Sequence, residues 1–502
     1  MRSLRNLRRL ARIGLVLARN GALFVDAWGE RAPPAAWFAR RLAREGIDST
    51  MGARLAAALT EIGPSFVKLG QTLSTRGDIL GDDLARDLAE LQDRLPPFPG
   101  EVARATIERE LGRPVAEVFA SFDDVPVAAA SIAQVHFAVT ADGREVAVKV
   151  LRPGIEQAFE RDLDLFLWMA TNAERYLSGS RRLRPIAVVE TLAETVAAEM
   201  DLRMEAAAAG ELRDNFRDDP TFVVPKVDWD RTSRRVLTIE RIRGARVDDT
   251  AQLDAWGLDR DQILANAAAA FFNQVFRDGF FHADMHPGNL FVLENGALAP
   301  VDFGIMGRVD LETRYFLADM LIGFLSGDYR RVADVHFDYG LVPAKQSRDL
   351  FAQACRAIGE PLIDRPLNEI SVGRLLQQLF QVTETFGMET QPHLLLLQKT
   401  MLTAEGVGRH LNPALNMWEL ARPLIEDWMR ENRGPEARMA RQINAALDVA
   451  ERLPKIVRKL DAALDLYIAD KAQARAPRPD RQSRLPWWIA GAAVLVALAS
   501  LF

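Results

Sequence analysis

The chain has 502 residues, of which 49% are hydrophobic and 26% charged, and its formal net charge is -6. This composition excludes an intrinsically disordered protein, and the negative balance argues against a nucleic-acid partner. The single cysteine, Cys355, excludes an intrachain disulfide and fits a reducing compartment, and we expect it to be a small core residue. At this length we expect two or more lobes with appended segments.

The first 25 residues carry six arginines and no acidic residue, with leucines and alanines that can share one face of a helix. The apolar run at residues 13–18 is too short for a signal peptide, and Arg19 interrupts it. Two interpretations stay open for residues 1–50. We favour an amphipathic segment lying on an anionic membrane surface, and the alternative is an organelle transit peptide.

A segment rich in small residues precedes a predicted β-hairpin. Residues 127–137, VAAASIAQVHF, lie where a glycine-rich loop would cover the phosphates of a nucleotide. Alanine lets the backbone approach a phosphate but restricts positive φ angles, so this loop should be stiffer than a glycine loop. The alternative is an alanine-rich turn without a ligand. The hairpin that follows is predicted to turn at Asp142 and Gly143.

Lys149 lies on the second strand of this hairpin, in residues 144–150, where polar and apolar residues alternate. Valine, alanine and valine precede it, a pattern in which the lysine reaches the α- and β-phosphates. A lone strand lysine is usually only an exposed charge. Its position ahead of the Asp and Asn residues in the middle of the chain favours the functional interpretation.

Residues 185–216 predict one long helical region that is opened by proline and has acids in its middle. Asp201 and Glu205 are four residues apart and share a face, whereas Glu199 points about 200° away from Asp201 on a regular helix. One acid can therefore meet Lys149 while another meets a different cation. We assign Glu205 as the partner of Lys149.

Residues 282–289, HADMHPGN, and the Asp-Phe-Gly tripeptide that begins at Asp302 are the most informative part of the chain. Asp284 and Asn289 lie five residues apart, and a predicted hairpin at residues 289–301 separates them from Asp302. Phosphoryl transfer needs oxygen ligands that hold Mg²⁺ on the phosphates and a carboxylate near the nucleophile, and the kinase signature has this spacing. The alternative is a surface turn rich in Asp, Asn and Gly.

Two histidines in this stretch, His282 and His286, are four residues apart and invite a zinc interpretation. A proline follows His286 and would interrupt a helix there, and the sequence contains no HExxH motif. We therefore expect His282 to support the catalytic loop instead of binding zinc.

The last 18 residues, 485–502, carry no charge and reach about 27 Å as a helix, just short of a hydrocarbon core of about 30 Å. We predict a basic linker at residues 461–485 and a transmembrane anchor at residues 486–502. Trp487 and Trp488 suit the membrane interface, and the positive flank places the large domain in the cytoplasm. The alternative is a terminal helix packed on the protein's own core.

Taken together, these motifs resemble the AarF/UbiB family of atypical kinases. Residues 63–76 would by themselves pass as a helix with a surface lysine, and ordinary kinase chemistry does not need them. The pairing of KLGQ at residues 68–71 with EMD at residues 199–201 is highly specific to that family. The likeness runs from about residue 50 to about residue 430, includes residues 397–409, and is greatest to the bacterial members.

The resemblance implies a protein-kinase-like α+β fold with two lobes. The small, β-rich lobe is expected at residues 121–241 and the helical lobe at residues 242–460. A helical extension that contains the KxGQ motif, at residues 51–120, is expected to pack over the active site. One departure is the single apolar span at the C-terminus, where bacterial relatives carry two, and this leaves the number of membrane passes open.

For the two family-specific motifs, the resemblance implies that Lys68 faces Glu199 and Asp201. Together with Gln71, Lys68 then occupies space that a peptide substrate needs. Protein phosphorylation is disfavoured on this view. ATP hydrolysis, or phosphorylation of a small molecule or lipid, is favoured.

For the nucleotide site, the resemblance implies ATP or ADP with Mg²⁺, held by Asn289 and Asp302. Lys149 steadies the α- and β-phosphates, and Asp284 has the position of the catalytic base, orienting water or a hydroxyl. Residues 236–242 predict the last small-lobe strand and the hinge. The further residues expected to contact nucleotide are Ala128, Ala129, Ala130, Ser131, Ile132, Ala133, Gln134, Val135, His136, Glu205, Glu240 and Ile242.

Three functions are consistent with this resemblance. The first is a membrane-anchored, kinase-like ATPase that supports ubiquinone biosynthesis by acting on or extracting lipid quinone intermediates. The second is a kinase that phosphorylates a quinone precursor, and the third is a non-catalytic nucleotide-binding scaffold. The expected partners are membrane lipids, quinone precursors and other ubiquinone-biosynthesis proteins. The expected location is the bacterial inner membrane, with the mitochondrial inner membrane as the alternative.

Overall fold

The part of the chain that the structure, a computed structural model, describes consists of residues 2–23, 50–74, 84, 87–88, 96–176, 185–361, 382–383, 385–388, 392–412 and 417–433. Contacts divide the chain into one unit of residues 1–429 and a second from residue 430, where residues 430–433 are described. The predicted linker and membrane anchor lie outside the described residues. Within the described segments, no helix combines the length and the hydropathy that crossing a bilayer requires.

The described chain begins with three helices: α1 (Arg2–Arg19), α2 (Met51–Ile62) and α3 (Pro64–Ser74). The expectation of a helix with an apolar side agrees with α1, but Leu10 and Ile13 on that side pack against the protein's own core. Arg9 also pairs with the buried carboxylate of Asp162. In the structure α1 is therefore docked on the folded body, which leaves only its outer side for contact with lipid.

The elements of the small lobe are α4 (Gly100–Leu111), α5 (Val115–Val118), β1 (Phe119–Phe122), β2 (Ala128–Ala129), β3 (Ala133–Thr140), β4 (Glu145–Leu151) and β5 (Val236–Glu240). The strands form an antiparallel sheet in the order β1–β3–β4–β5, and β2 pairs with β3. The β3–β4 hairpin turns at Asp142 and Gly143 as expected, and Gly143 has a positive φ of 84°. Val148 and Val150 on β4 face the core beneath α4, which leaves Lys149 on the opposite face of the sheet.

Among the described residues, three α-helices and the short 3-10 helix Trp229–Arg231 lie between β4 and β5. The α-helices are α6 (Ile155–Tyr176), α7 (Pro185–Glu199) and α8 (Leu202–Asn215). The prediction of one long helix over residues 185–216 is wrong, because the helix breaks after Glu199. Asp201 has extended backbone angles (φ -116°, ψ 92°), and its side chain accepts the N–H of Arg203 as the N-cap of α8. The argument that placed the acids on faces of one helix therefore does not hold.

The second lobe is mostly helical, and short strands surround the predicted catalytic loop. It contains α9 (Thr250–Ala255), α10 (Arg260–Phe272), α11 (Leu311–Leu325), α12 (Tyr329–Asp338), α13 (Arg348–Gly359), α14 (Pro392–Leu411), α15 (Met417–Arg433), β6 (Ala245–Arg246), β7 (Phe280–His282), β8 (Leu290–Val292), β9 (Leu298–Pro300) and β10 (Met306–Arg308). The β8–β9 hairpin matches the predicted strands to within one residue, and Gly296 in its turn has a φ of 82°. Cys355 is buried in α13, where burial raises the pKa of its thiol to about 12, so it is an inert core residue as predicted.

A π-helix, Asn273–Asp278, separates α10 from β7 and was not predicted from the sequence. Such wide turns are rare and occur frequently at functional sites. It ends at Gly279, which has a φ of 65°. A Cβ atom there would lie 2.5 Å from the carbonyl oxygen of Val309, so only glycine fits. The chain therefore enters β7, and then the catalytic loop, along a narrowly fixed path.

His336 on α12 provides a test of how the helical lobe responds to acid. It is buried between the rings of Phe316 and Phe351, and its Nδ1 donates to the carbonyl oxygen of Val332 at 2.7 Å. Burial lowers the pKa of its imidazole below the ordinary value of 6.5. Below pH 6.5 this histidine is therefore protonated in the unfolded chain but stays neutral in the folded protein. The free energy of unfolding consequently decreases as pH falls through 6.5.

We expect His336→Gln to remove this pH dependence. Below pH 6.5 the wild type should lose about 1.4 kcal/mol of unfolding free energy per pH unit relative to the variant, measured by urea denaturation. The control is His410→Gln, because His410 makes the same type of bond to a helix carbonyl but is exposed. Parallel pH curves for the wild type and His336→Gln would contradict the prediction.

Candidate nucleotide site

The centre of the site is a cluster of one lysine and two carboxylates. The Nζ atom of Lys149 on β4 lies 2.7 Å and 3.0 Å from the carboxylate oxygens of Glu205 on α8, and 3.1 Å from Oδ2 of Asp302. Oε1 of Glu205 also accepts the backbone N–H of Phe303 at 3.3 Å. The structure thus places Glu205 against Lys149, the pairing expected from the sequence, and ties both residues to the Asp-Phe-Gly turn.

The two carboxylates differ in exposure, and this assigns them different tasks. The side chain of Glu205 is 7% exposed, whereas that of Asp302 is 38% exposed. Burial, supported by the nearby charge of Asp302, raises the pKa of Glu205 to about 7 despite the Lys149 ammonium. Burial acts in the same direction on Asp302, but Lys149 and the N–H of Gly304 outweigh it and lower the pKa of Asp302. Asp302 is therefore the carboxylate that stays ionised and open to a cation.

His282 connects the predicted catalytic loop to the Asp-Phe-Gly turn. Its Nε2 donates to the carbonyl oxygen of Asp302, and its Nδ1 accepts the backbone N–H of Asp284 at 3.1 Å. These partners assign the neutral tautomer with its proton on Nε2, in keeping with burial, which lowers the pKa of the imidazole. Both ring nitrogens are used within the protein, so His282 positions the loop as expected and has no lone pair for zinc.

Asn289 and Asp284 lie on the same loop. The Nδ2 atom of Asn289 donates to the carbonyl oxygen of Asp284 at 3.2 Å, which leaves its amide oxygen, the atom that Mg²⁺ prefers. The backbone carbonyl of Asn289 accepts the N–H of Val301 at 3.0 Å. This bond places Asn289 beside the residue that precedes Asp302. The side chain of Asp284 is 26% exposed, with His286 at 3.9 Å. The amide oxygen of Asn289 and the carboxylate of Asp302, both on partly exposed side chains, fit Mg²⁺, which usually keeps several waters and binds phosphate oxygens.

The alanine-rich segment contributes differently from the expectation. Gln134 and His136, which we predicted to contact nucleotide, are fully buried. Gln134 accepts the N–H of Phe98 at 3.0 Å, donates to the carbonyl oxygen of Phe98 at 3.1 Å, and lies 2.8 Å from Nε2 of His136. The Nδ1 atom of His136 donates to the carbonyl oxygen of Asp123 at 2.7 Å. These two side chains are bonded inside the small lobe, so neither is available to a phosphate.

The predicted hinge follows β5. The backbone N–H of Glu240 donates to the carbonyl oxygen of Lys226 at 2.9 Å, and the N–H of Arg241 donates to that of Glu145 at 3.1 Å. The backbone N–H of Glu240 is therefore not available to an adenine ring. Ile242 follows at the end of the strand and is partly buried. Its contact with adenine stays a prediction.

The KxGQ lysine is buried and forms an ion pair. The Nζ atom of Lys68 on α3 lies 3.2 Å from Oε1 and 3.0 Å from Oε2 of Glu199, with both side chains at most 10% exposed. The expectation that Lys68 also faces Asp201 is wrong. The carboxylate of Asp201 caps α8 and binds the guanidinium of Arg203 at 2.6 Å and 2.9 Å. Gln71, one turn along α3 from Lys68, is partly buried.

Sequence reasoning missed Gln274 in the π-helix. It is fully buried, and its Oε1 accepts the backbone N–H of His282 at 2.9 Å. Its Nε2 is buried without a hydrogen-bond partner among the residues that the structure describes. A glutamine eight residues before His282 carries no motif, so no signal in the sequence could have identified it.

We expect Gln274→Met to lower kcat for ATP turnover about tenfold with little change in KM. Methionine has a similar length but leaves the N–H of His282 without its acceptor, a loss of about 1–3 kcal/mol of positioning energy. Loss of the unpartnered amide nitrogen offsets part of the cost to stability. Gln262→Met is the control, because Gln262 is an exposed glutamine on α10. Equal kcat values for the two variants would remove Gln274 from the site.

The class of protein follows from the meeting of the strand lysine, the helix glutamate and the Asp-Phe-Gly aspartate in one cluster, between an antiparallel sheet and a helical lobe. This is the arrangement of a protein-kinase-like protein. Residues 90–336 match the family model of the ABC1 atypical kinase-like domain, and residues 355–416 match that of the UbiB helical domain. The chain belongs to the UbiB family of atypical kinase-like proteins.

Relatives and solved structures agree with this assignment. The chain is 45% identical over 431 residues to a protein of Marinobacter nauticus named "Probable protein kinase UbiB", covering 84% of this chain and 78% of that protein. It is 42% identical over 480 residues to a protein of the same name in Pseudomonas paraeruginosa, covering 94% and 89%. The Mycobacterium tuberculosis protein of the Rv3197–erythromycin complex superposes with a TM-score of 0.54 at 25% identity, over 79% of this chain and 98% of that one.

Proposed function

We propose that this protein is a Mg²⁺-dependent, kinase-like ATPase that supports ubiquinone biosynthesis. The observation that carries the proposal is the cluster of Lys149, Glu205 and Asp302. A charged amine held beside an ionised carboxylate suits a triphosphate with its metal ion. The resemblance described above supplies the link to ubiquinone.

Each side chain has a task in this proposal. Lys149 binds the α- and β-phosphates, and Glu205 holds the lysine in place. Asp302 and Asn289 would hold Mg²⁺, which when bound neutralises charge on the phosphates. Asp284 orients the attacking oxygen, and its partly exposed carboxylate can reach either water or the hydroxyl of a substrate.

The same exposure of Asp284 supports the second candidate, a kinase that phosphorylates a quinone precursor. The Lys68–Glu199 pair favours small or lipid substrates over proteins. It fixes the KxGQ helix, α3, next to the α7–α8 junction, six residues before Glu205. By the resemblance described above, this helix occupies space that a peptide substrate needs.

One assay separates the two candidates. Purified full-length protein is incubated with Mg-ATP and membranes, with or without phenols that resemble quinone precursors, while free phosphate and phosphorylated product are both followed. Hydrolysis that phenols stimulate without a phosphorylated product supports the ATPase. A phosphorylated phenol formed in step with ADP supports the kinase, and no nucleotide turnover under any condition removes both.

We also propose that residues 486–502 anchor the protein in the bacterial inner membrane, with the catalytic lobes in the cytoplasm. Membrane lipids, quinone precursors and other ubiquinone-biosynthesis proteins are the partners that this location would offer. Deleting residues 486–502 should release the protein only partly into the soluble fraction, because the outer side of α1 carries exposed arginines such as Arg8 and Arg12. Complete release on fractionation would rule out a role for α1 in membrane binding.

A further inference from the structure

Arg152, which has no part in the functions assigned above, contacts the alanine-rich loop, by which we mean residues 128–133. Arg152 directly follows β4. Its Nε and Nη2 atoms both donate to the carbonyl oxygen of Ala130, at 3.0 Å and 2.8 Å. Its backbone N–H donates to the carbonyl oxygen of Ile132 at 2.8 Å. The loop closes on itself through the N–H of Ala130 and the carbonyl oxygen of Ala133, 2.8 Å apart, and Arg152 fixes this turn from outside.

The same guanidinium connects the loop to the segment of residues 96–100, which we call the proline strap. Its Nη1 atom donates to the carbonyl oxygen of Pro96 at 2.9 Å, and its Cζ atom lies 5.6 Å from the centre of the Phe98 ring. Gln134, which follows the loop on β3, binds both backbone groups of Phe98. Arg152 and Gln134 thus join the loop and the strap, and the five hydrogen bonds that do so are all directed at backbone groups.

We propose that Arg152 is a positioning residue that keeps the alanine-rich loop in the shape that receives the nucleotide phosphates. The inference rests on the proposed nucleotide site and goes beyond it. The alanines alone do not fix one conformation of the loop, because each alanine still has several allowed backbone conformations. A guanidinium that binds carbonyls on the loop and on the strap selects one conformation before nucleotide arrives, so the ordering cost is met during folding.

Arg104 offers a matched control in the same lobe. Its guanidinium also donates to a backbone carbonyl, that of Phe122, at 2.9 Å, and lies 5.0 Å from the centre of the Phe122 ring. It pairs with Asp124 and does not contact the alanine-rich loop through any of these bonds. Arg104→Gln therefore removes a similar set of contacts without releasing the loop.

The first arm of the test compares nucleotide affinity. Arg152→Gln should raise the Kd for a fluorescent ATP analogue with Mg²⁺, and the KM for ATP, about tenfold, the expected loss for a charged hydrogen-bond donor. The kcat at saturating ATP should stay within about twofold of wild type, since bound nucleotide restores the loop. Arg152→Lys should fall between, because an ammonium group cannot hold two carbonyls in a fixed fork. Arg104→Gln should match the wild type.

The second arm reads the loop directly by hydrogen exchange of the protein without nucleotide. Arg152→Gln should speed exchange of peptides that cover residues 128–133 and 96–100 at least tenfold, with no change in α11 and α12. Should this variant not fold, Arg152→Lys gives the same comparison with a smaller effect. Exchange and affinity equal to those of Arg104→Gln would overturn the inference. Faster exchange in a protein whose wild type binds no nucleotide would instead overturn the proposed function and leave the role of Arg152 in the loop intact.

Discussion

Asp302→Asn is expected to lower ATP turnover at least about a hundredfold, and Lys149→Ala to do the same, while both variants stay folded. Asp302→Asn would remove the negative charge that holds Mg²⁺ and weaken the hydrogen bond from the Lys149 amine, which is 3.1 Å long in the wild type. The alanine variant would lose the phosphate-binding cation and leave Glu205 and Asp302 facing each other without it. Turnover is measured as phosphate release by the purified protein, and folding by circular dichroism and thermal denaturation.

The control for these variants is Asp142→Asn. Asp142 is also paired with a cation, Arg144 at 2.6 Å, but lies exposed in the β3–β4 turn. It should keep wild-type turnover. Survival of activity in Asp302→Asn would show that the nucleotide site is misplaced. If Asp302→Asn also fully restored quinone production in a strain that lacks the protein, the non-catalytic scaffold would replace the ATPase.

Glu199→Gln is expected to destabilise the protein by about 3 kcal/mol, the second large effect that the structure predicts. The change leaves the ammonium of Lys68, which is 10% exposed, opposite a neutral amide. The free energy of unfolding would be measured by urea denaturation. Combining Glu199→Gln with Lys68→Met should recover most of the loss, because the double variant removes both charges of this pair.

A surface pair of similar geometry provides the comparison. Arg308 and Glu211 form two hydrogen bonds of 2.6 Å and 2.8 Å, but their side chains are 66% and 40% exposed. Glu211→Gln should cost less than about 1 kcal/mol, because water screens the pair. Equal losses of unfolding free energy in Glu199→Gln and Glu211→Gln would show that burial of the Lys68–Glu199 pair contributes nothing to stability.

Local sequence patterns predicted the parts of the fold whose signals are local. The alternation around Lys149 and the turn residues of the β3–β4 and β8–β9 hairpins have a simple cause in side-chain direction and backbone freedom. The spacing from Asp284 to Asp302 likewise placed the loop and the hairpin between them. The pairing of Glu205 with Lys149 is a long-range contact, and only the analogy with kinases could suggest it.

The parts that could not be predicted depend on tertiary contacts. Asp201 could have been one more acid in a helix, and its role as an N-cap emerged only from the backbone around it. Gln134 and His136 sit in a segment that looks like a nucleotide loop, but the fold turns their side chains into the lobe. Nothing near Arg152 in the sequence shows that it reaches Ala130, because that contact joins chain positions 22 apart.

The wide turn before the catalytic loop has a consequence for how this chain can vary. The hydrogen bonds of a π-helix span five residues instead of the four of an α-helix, so removing one residue would let α10 continue with ordinary hydrogen bonds. The wide turn would then be lost, and we expect the side chains within it to change direction, so that Gln274 no longer accepts the N–H of His282. Arg277 is the one exposed residue of Asn273–Asp278, so exchanges of amino acid should be tolerated there, whereas a change of length by a single residue should not be tolerated.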